Sequence, residues 1–68
     1  MNLEIIAAVR LFGSQTEFAK IVGVKQPSVF SWMSGKTKPS AKNAIQIEKA
    51  TNGALTRAEI RPDIFGSV

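Results

Sequence analysis

The chain has 68 residues, with nine Lys plus Arg against five Asp plus Glu, and it contains neither cysteine nor histidine. At this length one domain spanning 1–68 is expected, near the lower size limit for an unaided core, and without cysteine there is no disulfide framework and no thiolate metal site. Without histidine the commonest general base and metal ligand are missing as well, so neither an enzyme nor a metal or cofactor site is expected, and the 44% hydrophobic content argues against disorder of the whole chain.

Leu3, Ile6, Val9 and Phe12 recur three apart, with Ile5 and Ala8 widening the stripe, which predicts an amphipathic helix ending at Gly13. The apolar run Ile5–Val9 follows Glu4 and lacks a basic leader, so it reads as neither a signal peptide nor a spanning helix, and a soluble, cytoplasmic protein without a membrane partner is expected. Ser14-Gln15-Thr16-Glu17 is a capping-box sequence, with the Ser14 hydroxyl accepting from the Glu17 amide and Glu17 reaching back. The helix it starts runs through Phe18, Ala19, Ile21 and Val22 for about eight residues and stops at Gly23.

A third helix starts near Pro27, which is comfortable in a first turn, and turns Val29, Trp32 and Met33 inward before Gly35 ends it. Pro27 restricts Gln26, which is therefore predicted to be the helix cap. Ser34 to Pro39 is a polar loop with two lysines, and Ser40 caps a fourth helix through Ala44, Ile45, Ile47 and Glu48 toward Asn52 and Gly53. Thr56-Arg57-Ala58-Glu59 is another capping box, but Pro62 pushes Arg61 out of the helical region. One short helical turn followed by an extended tail from Pro62 to Val68 is predicted.

The charge is unevenly spread. Between Phe18 and Ile47 lie five lysines (Lys20, Lys25, Lys36, Lys38, Lys42) and no acidic residue, while the rest of the chain holds four basic and five acidic side chains. Such a stretch suits a polyanion, either nucleic acid or an anionic membrane, although a solvated face has the same composition.

Two short helices joined by a tight glycine turn form a helix-turn-helix, whose second helix lies in the DNA major groove. Close crossing of the two helices needs a small contact residue in the first, a residue tolerant of positive φ in the turn, and apolar anchors in the second. Residues 14–35 supply these: Ala19 is the small contact, Phe18 and Val22 the core of the first helix, Gly23 the turn and Val24 the plug beneath it, while Val29 and Trp32 hold the second helix down.

The segment GSQTEFAKIVGVKQPSVFSWMSGKTKP resembles the Cro and CI type phage repressors and the YdaS-like bacterial regulators, and ALTRAEIRPDIF extends the likeness toward the YdaS-like and Cro group. The resemblance implies an all-α fold of the lambda repressor type, a compact bundle of about five short helices, since AKNAIQIEKATNG is helix-favouring where many Cro proteins have a β-hairpin. It also implies a transcriptional regulator in a bacterial host, binding double-stranded operator DNA as a two-fold dimer without a small-molecule ligand. A second implication is an antitoxin-like or other protein-interaction module that uses the same fold as a scaffold.

Positions of the family's contacts carry over residue by residue. Gln15, at the start of the first motif helix with Thr16 beside it, matches a position that clamps a phosphate, where the helix N-terminus adds partial positive charge. On the recognition helix, Lys25, Gln26, Pro27, Ser28, Phe30 and Ser31 are outward and expected at the base edges. Gln26 leads because a glutamine amide can bond bidentately to adenine, and Lys25 reaches guanine or a phosphate. Ser28 and Ser31 have base and backbone partners open to them. Phe30, where the family more often has a polar residue, meets a thymine methyl or leans into the core edge or a partner subunit. Ser34, Lys36 and Lys38 match the segment that follows the phosphate backbone, and Lys42 can join them. Arg10, Lys20 and Lys49 read as ordinary surface charges.

The tail 54–68 holds Leu55, Ile60, Ile64 and Phe65, more apolar surface than so short a segment buries on itself, and these residues are the expected dimer contact.

Overall fold

A computed structural model describes residues 1–66; Ser67 and Val68, the end of the expected tail, lie outside the described residues. The elements are α1 (Leu3–Phe12), α2 (Gln15–Val22), α3 (Gln26–Ser34), α4 (Ala41–Ala50), α5 (Arg57–Ile60) and α6 (Pro62–Phe65), with no strand among the described residues. The fold is therefore all-α, as expected, with one helical turn more than the sequence suggested.

Local chemistry sets the boundaries. Asn2, Ser14, Ser40 and Thr56 each accept a backbone N–H three residues on, which satisfies an amide that the first turn of a helix leaves free. Of the two capping boxes only the one at Thr56 closes both arms, because Glu59 accepts from the Thr56 amide at 2.9 Å, whereas at Ser14 the hydroxyl arm alone forms. Gly23, at φ 88°, ends α2 in the left-handed region and lets the chain reverse into α3 within a few residues, a conformation that a side chain would strain.

The core lies where these helices cross. Ile5, Phe18, Val29, Ala44 and Ile47 are completely buried, and Ala8, Val9, Ala19, Val22 and Trp32 nearly so. Phe18 is the largest of the completely buried side chains, and its ring meets that of Phe12 at 5.7 Å between centroids with a 47° tilt. Val24, Met33, Phe12 and Phe65 pack around this cluster from its edges. The small Ala19 is a buried residue of α2, which packs against α3.

Two expectations are corrected. In α1 the buried face is Ile5, Ala8 and Val9, with Phe12 half-buried, and Leu3 is 70% exposed rather than the first member of the stripe. At about 100° per residue, Ile5, Ala8, Val9 and Phe12 share one side, and Leu3 falls on the opposite side. Ile21 of α2 is exposed as well, at the flank of the face that Phe18, Ala19 and Val22 bury.

The second correction concerns the tail. Pro62–Phe65 is a helical turn, not extended chain. Pro62 keeps Arg61 non-helical, at φ −131° and ψ 72°, but it also suits the first position of the turn that follows, where its missing N–H costs nothing. The expected apolar surplus is absent too. Leu55 and Ile60 belong to the chain's own core and Phe65 packs against it, which leaves Ile64, 48% exposed, as the exposed member of the four. A chain truncated after Gly53 would lose core residues and so cannot serve to locate a dimer contact.

Polar ties hold this tail down. The buried Thr51 hydroxyl donates to the Ile47 carbonyl at 2.9 Å and accepts the Leu55 amide at 3.2 Å, which carries the chain around the turn at Asn52 and Gly53. Arg57 pairs with Glu48 at 2.7 Å and lies over the Phe65 ring.

Candidate nucleic-acid interface

The N-terminal part of α3 presents a continuous outward face. Lys25 is the N-cap residue, Gln26 begins the helix and Pro27 follows within the first turn, so Gln26 is not the cap that the proline suggested. Val29 and Trp32 are the buried residues of α3, which packs against α2. Lys25, Gln26, Pro27 and Phe30 are exposed, Phe30 at 58%, while Ser28 and Ser31 are half-buried at the edges of the same face. Phe30 thus points to solvent and not into the core edge.

The start of α2 adjoins this face. Gln26 donates a hydrogen bond from Nε2 to Oε1 of Gln15, joining the first residues of the two motif helices through their side chains. That bond uses one of the two Nε2 protons and leaves the other, together with Oε1 of Gln26, for an external partner. One free donor beside one free acceptor is the pattern that the N7 and N6 edge of adenine demands. Sequence placed both glutamines at DNA without linking them, since nothing in the one-dimensional pattern tells that side chains eleven residues apart touch. Thr16, next to Gln15, is exposed.

The loop after α3 is built onto the helix end. The Ser31 carbonyl accepts the amides of Lys36 at 3.0 Å and Thr37 at 3.3 Å as well as the Ser34 hydroxyl at 3.1 Å, so the chain wraps back over the last turn. Gly35 makes this possible at φ 83°; a Cβ there would lie 2.9 Å from the Met1 nitrogen. Ser34, the last residue of α3, and Lys36 and Lys38 on this loop are all exposed, and Lys42 is exposed just beyond it on α4.

The far end of the loop has an anchor that sequence reasoning missed. Pro39 is completely buried, and its carbonyl accepts from Arg61 Nη1 at 2.7 Å. The same guanidinium grips both carboxylate oxygens of Asp63, at 2.9 and 2.7 Å. Arg61 is thus a positioning residue for the lysine loop, reaching it from the tail. The only sequence signal for it was an arginine two residues before an aspartate at a proline.

These contacts set the charges. The Arg61 hydrogen bonds hold the Asp63 carboxyl down at about 2, against an ordinary 3.8, with Lys38 adding a smaller pull. Arg57 lowers Glu48, chiefly through its side-chain hydrogen bond and then through its amide. A carboxylate depressed in the folded chain stabilises the fold above its unfolded value, and that contribution is lost as pH falls through the folded value. Thermal melts followed by circular dichroism from neutral pH down to about 2 are therefore expected to show a falling midpoint below the ordinary range of 3.8, and Asp63→Asn should flatten that fall. An acid limb as steep in Asp63→Asn as in the unchanged chain would remove the assigned role of this pair.

Among the described residues no helix is long and apolar enough to cross a membrane, and no group of three or more acidic, histidine or cysteine side chains is placed to hold a metal.

Comparison with known proteins gives three likenesses. Residues 5–68 match the family model described as bacterial toxin YdaS. Over 63 residues, 93% of this chain, the sequence is 36% identical to YdaS of Escherichia coli (strain K12), a protein named as a candidate transcriptional regulator, and it spans 64% of that protein's length. The fold is similar to that of the Cro protein from the candidate prophage element Xfaso 1 in Xylella fastidiosa strain Ann-1, with a TM-score of 0.84, 37% identity, and coverage of 98% of this chain and 100% of the other.

Proposed function

Starting from the fact that this chain belongs to the YdaS family, we propose that it is a Cro-like transcriptional regulator, most simply a repressor, that binds operator DNA sequence-specifically through α3. The observation that carries this reading is the outward face of α3: Gln26 is exposed, steered by Gln15, and flanked by Lys25 and the loop lysines in a stretch free of acidic residues. Gln26 reads a base edge, with Lys25, Pro27, Ser28 and Ser31 beside it, and Phe30 offers an apolar contact to a thymine methyl. Gln15, Thr16, Ser34, Lys36 and Lys38 track the phosphates and set the register.

One copy covers one half-site. A two-fold dimer on a pseudo-palindrome, with half-sites about one helical turn apart, follows from the way a single recognition helix fills a major groove. Toxicity, which the family's description names, is in this reading a consequence of occupying DNA.

Selection from a pool of random duplex DNA is expected to enrich a single two-fold motif, and binding to it should weaken with salt along a straight line in log K against log salt concentration. Recovery of no motif, with a binding strength indifferent to sequence, would overturn the operator reading and leave the fold as a protein-interaction scaffold.

A further inference from the structure

The outer side of α1 has a symmetry that the DNA-binding reading does not use. Leu3, Ala7 and Leu11 recur every four residues and are all exposed, the two leucines at 70% and 72%, on the side of α1 opposite the buried Ile5, Ala8 and Val9. They make a single ridge of the i±4 kind, the row that interdigitates when two helices cross. Glu4 and Arg10, also exposed, flank it. Each member has a counterpart at equal separation beyond Ala7: Leu3 answers Leu11, and Glu4 answers Arg10.

We infer that this face associates with the same face of a second copy of the chain, about a two-fold axis through Ala7. The inference deepens the two-fold reading above and rests on it for its biological use. In the antiparallel crossing Leu3 meets Leu11 of the partner subunit, Glu4 meets Arg10 of the partner subunit, and the two Ala7 residues meet on the axis. A parallel crossing would set Glu4 against Glu4 and Arg10 against Arg10, so charge selects the antiparallel one. Alanine at the crossing point lets the axes approach toward the short end of the roughly 8–10 Å range of packed helices. Beside the ridge a groove bordered by Ala7, Leu11, Ala54 and Glu59 offers a place for the incoming leucine. Isologous pairing of this kind is what a two-fold contact requires.

Two leucines and one ion pair from each copy make a small interface, below roughly 1,200 Å², so association is weak and concentration-dependent. Sedimentation equilibrium of the full chain without DNA, carried from micromolar to millimolar protein, is expected to show a reversible monomer–dimer equilibrium. Ala7→Glu, which brings two carboxylates together on the axis, and Glu4→Arg, which opposes two cations, should each weaken it by roughly tenfold or more. The double reversal Glu4→Arg with Arg10→Glu should restore it. All these positions are exposed, and circular dichroism checks that each variant folds. As a second readout on a nearly unchanged surface, Ala7→Cys, then the chain's sole cysteine, should oxidise to a covalent dimer much faster than Lys20→Cys. A monomer throughout, a dimer indifferent to Ala7→Glu, or a double reversal as weak as Glu4→Arg overturns the inference. With no DNA present, that failure leaves operator binding standing, and a failed DNA selection leaves this result standing.

Discussion

Phe18→Ala is expected to lower the stability of this chain by about 3–5 kcal/mol, the range for emptying a fully buried aromatic site. The whole domain has little more than that to lose, since small proteins are stable by roughly 0.05–0.15 kcal/mol per residue. The site cannot collapse cheaply. Phe18 is completely buried, stacks at a tilt on Phe12, and belongs to the cluster that Ile5, Val29 and Ile47 close from α1, α3 and α4. The variant is therefore expected to be largely unfolded at physiological temperature, as judged by the far-ultraviolet circular dichroism and a urea titration. Ile21→Ala, on the same helix but exposed, should change stability by no more than about 0.5 kcal/mol. A cooperative melt of Phe18→Ala close to that of the unchanged chain would show that the core is not organised around α2.

Gln26→Ala and the pair Lys36→Gln, Lys38→Gln are expected to damage DNA binding in different ways. Loss of the glutamine amide should cost about 1–3 kcal/mol of discrimination at a single base pair and leave the salt dependence alone. Loss of the two loop lysines should weaken binding to every sequence and flatten the slope of log K against log salt by about 0.9 for each phosphate contact removed. Gln15→Ala adds a diagnostic that the sequence did not suggest. Because Gln15 accepts from Gln26, its removal should relax preference at the same base pair, and the double variant with Gln26→Ala should lose less than the sum of the two single losses. Binding titrations against the selected motif and against single-base variants of it, at several salt concentrations, read all of these outcomes. Strict additivity of the two glutamines would dissolve the proposed steering, and a salt slope altered by Gln26→Ala would exchange the assigned roles.

Much of the α1–α4 course was legible because its boundaries rest on local interactions, a hydroxyl cap at Ser14 or Ser40 and a left-handed glycine at Gly23 or Gly35, whereas the start of α3, where no side chain caps the helix, was misplaced by one residue. The outward positions of α3 were legible as well, because Val29 and Trp32 mark the buried side and helical geometry then fixes the opposite one. What failed did so where a count of apolar residues stood in for their partners. Leu55 and Ile60 looked surplus when weighed against their own short tail, and they prove to be covered by the core that the earlier helices build. Leu3 looked like core by its spacing from Ile6 and Val9, yet it is exposed.

By itself, then, the sequence determined that this is an all-helical chain with a helix-turn-helix and a lysine-bearing stretch free of acidic residues, because caps, glycine turns, periodicity and composition act within a few residues of one another. Only the tertiary structure decided that Gln26 bonds to Gln15, that Arg61 reaches the lysine loop at the Pro39 carbonyl, and that the exposed apolar ridge lies on α1 and not in the tail. Those contacts join residues far apart in the chain, and their existence depends on how whole helices cross, which no local pattern encodes.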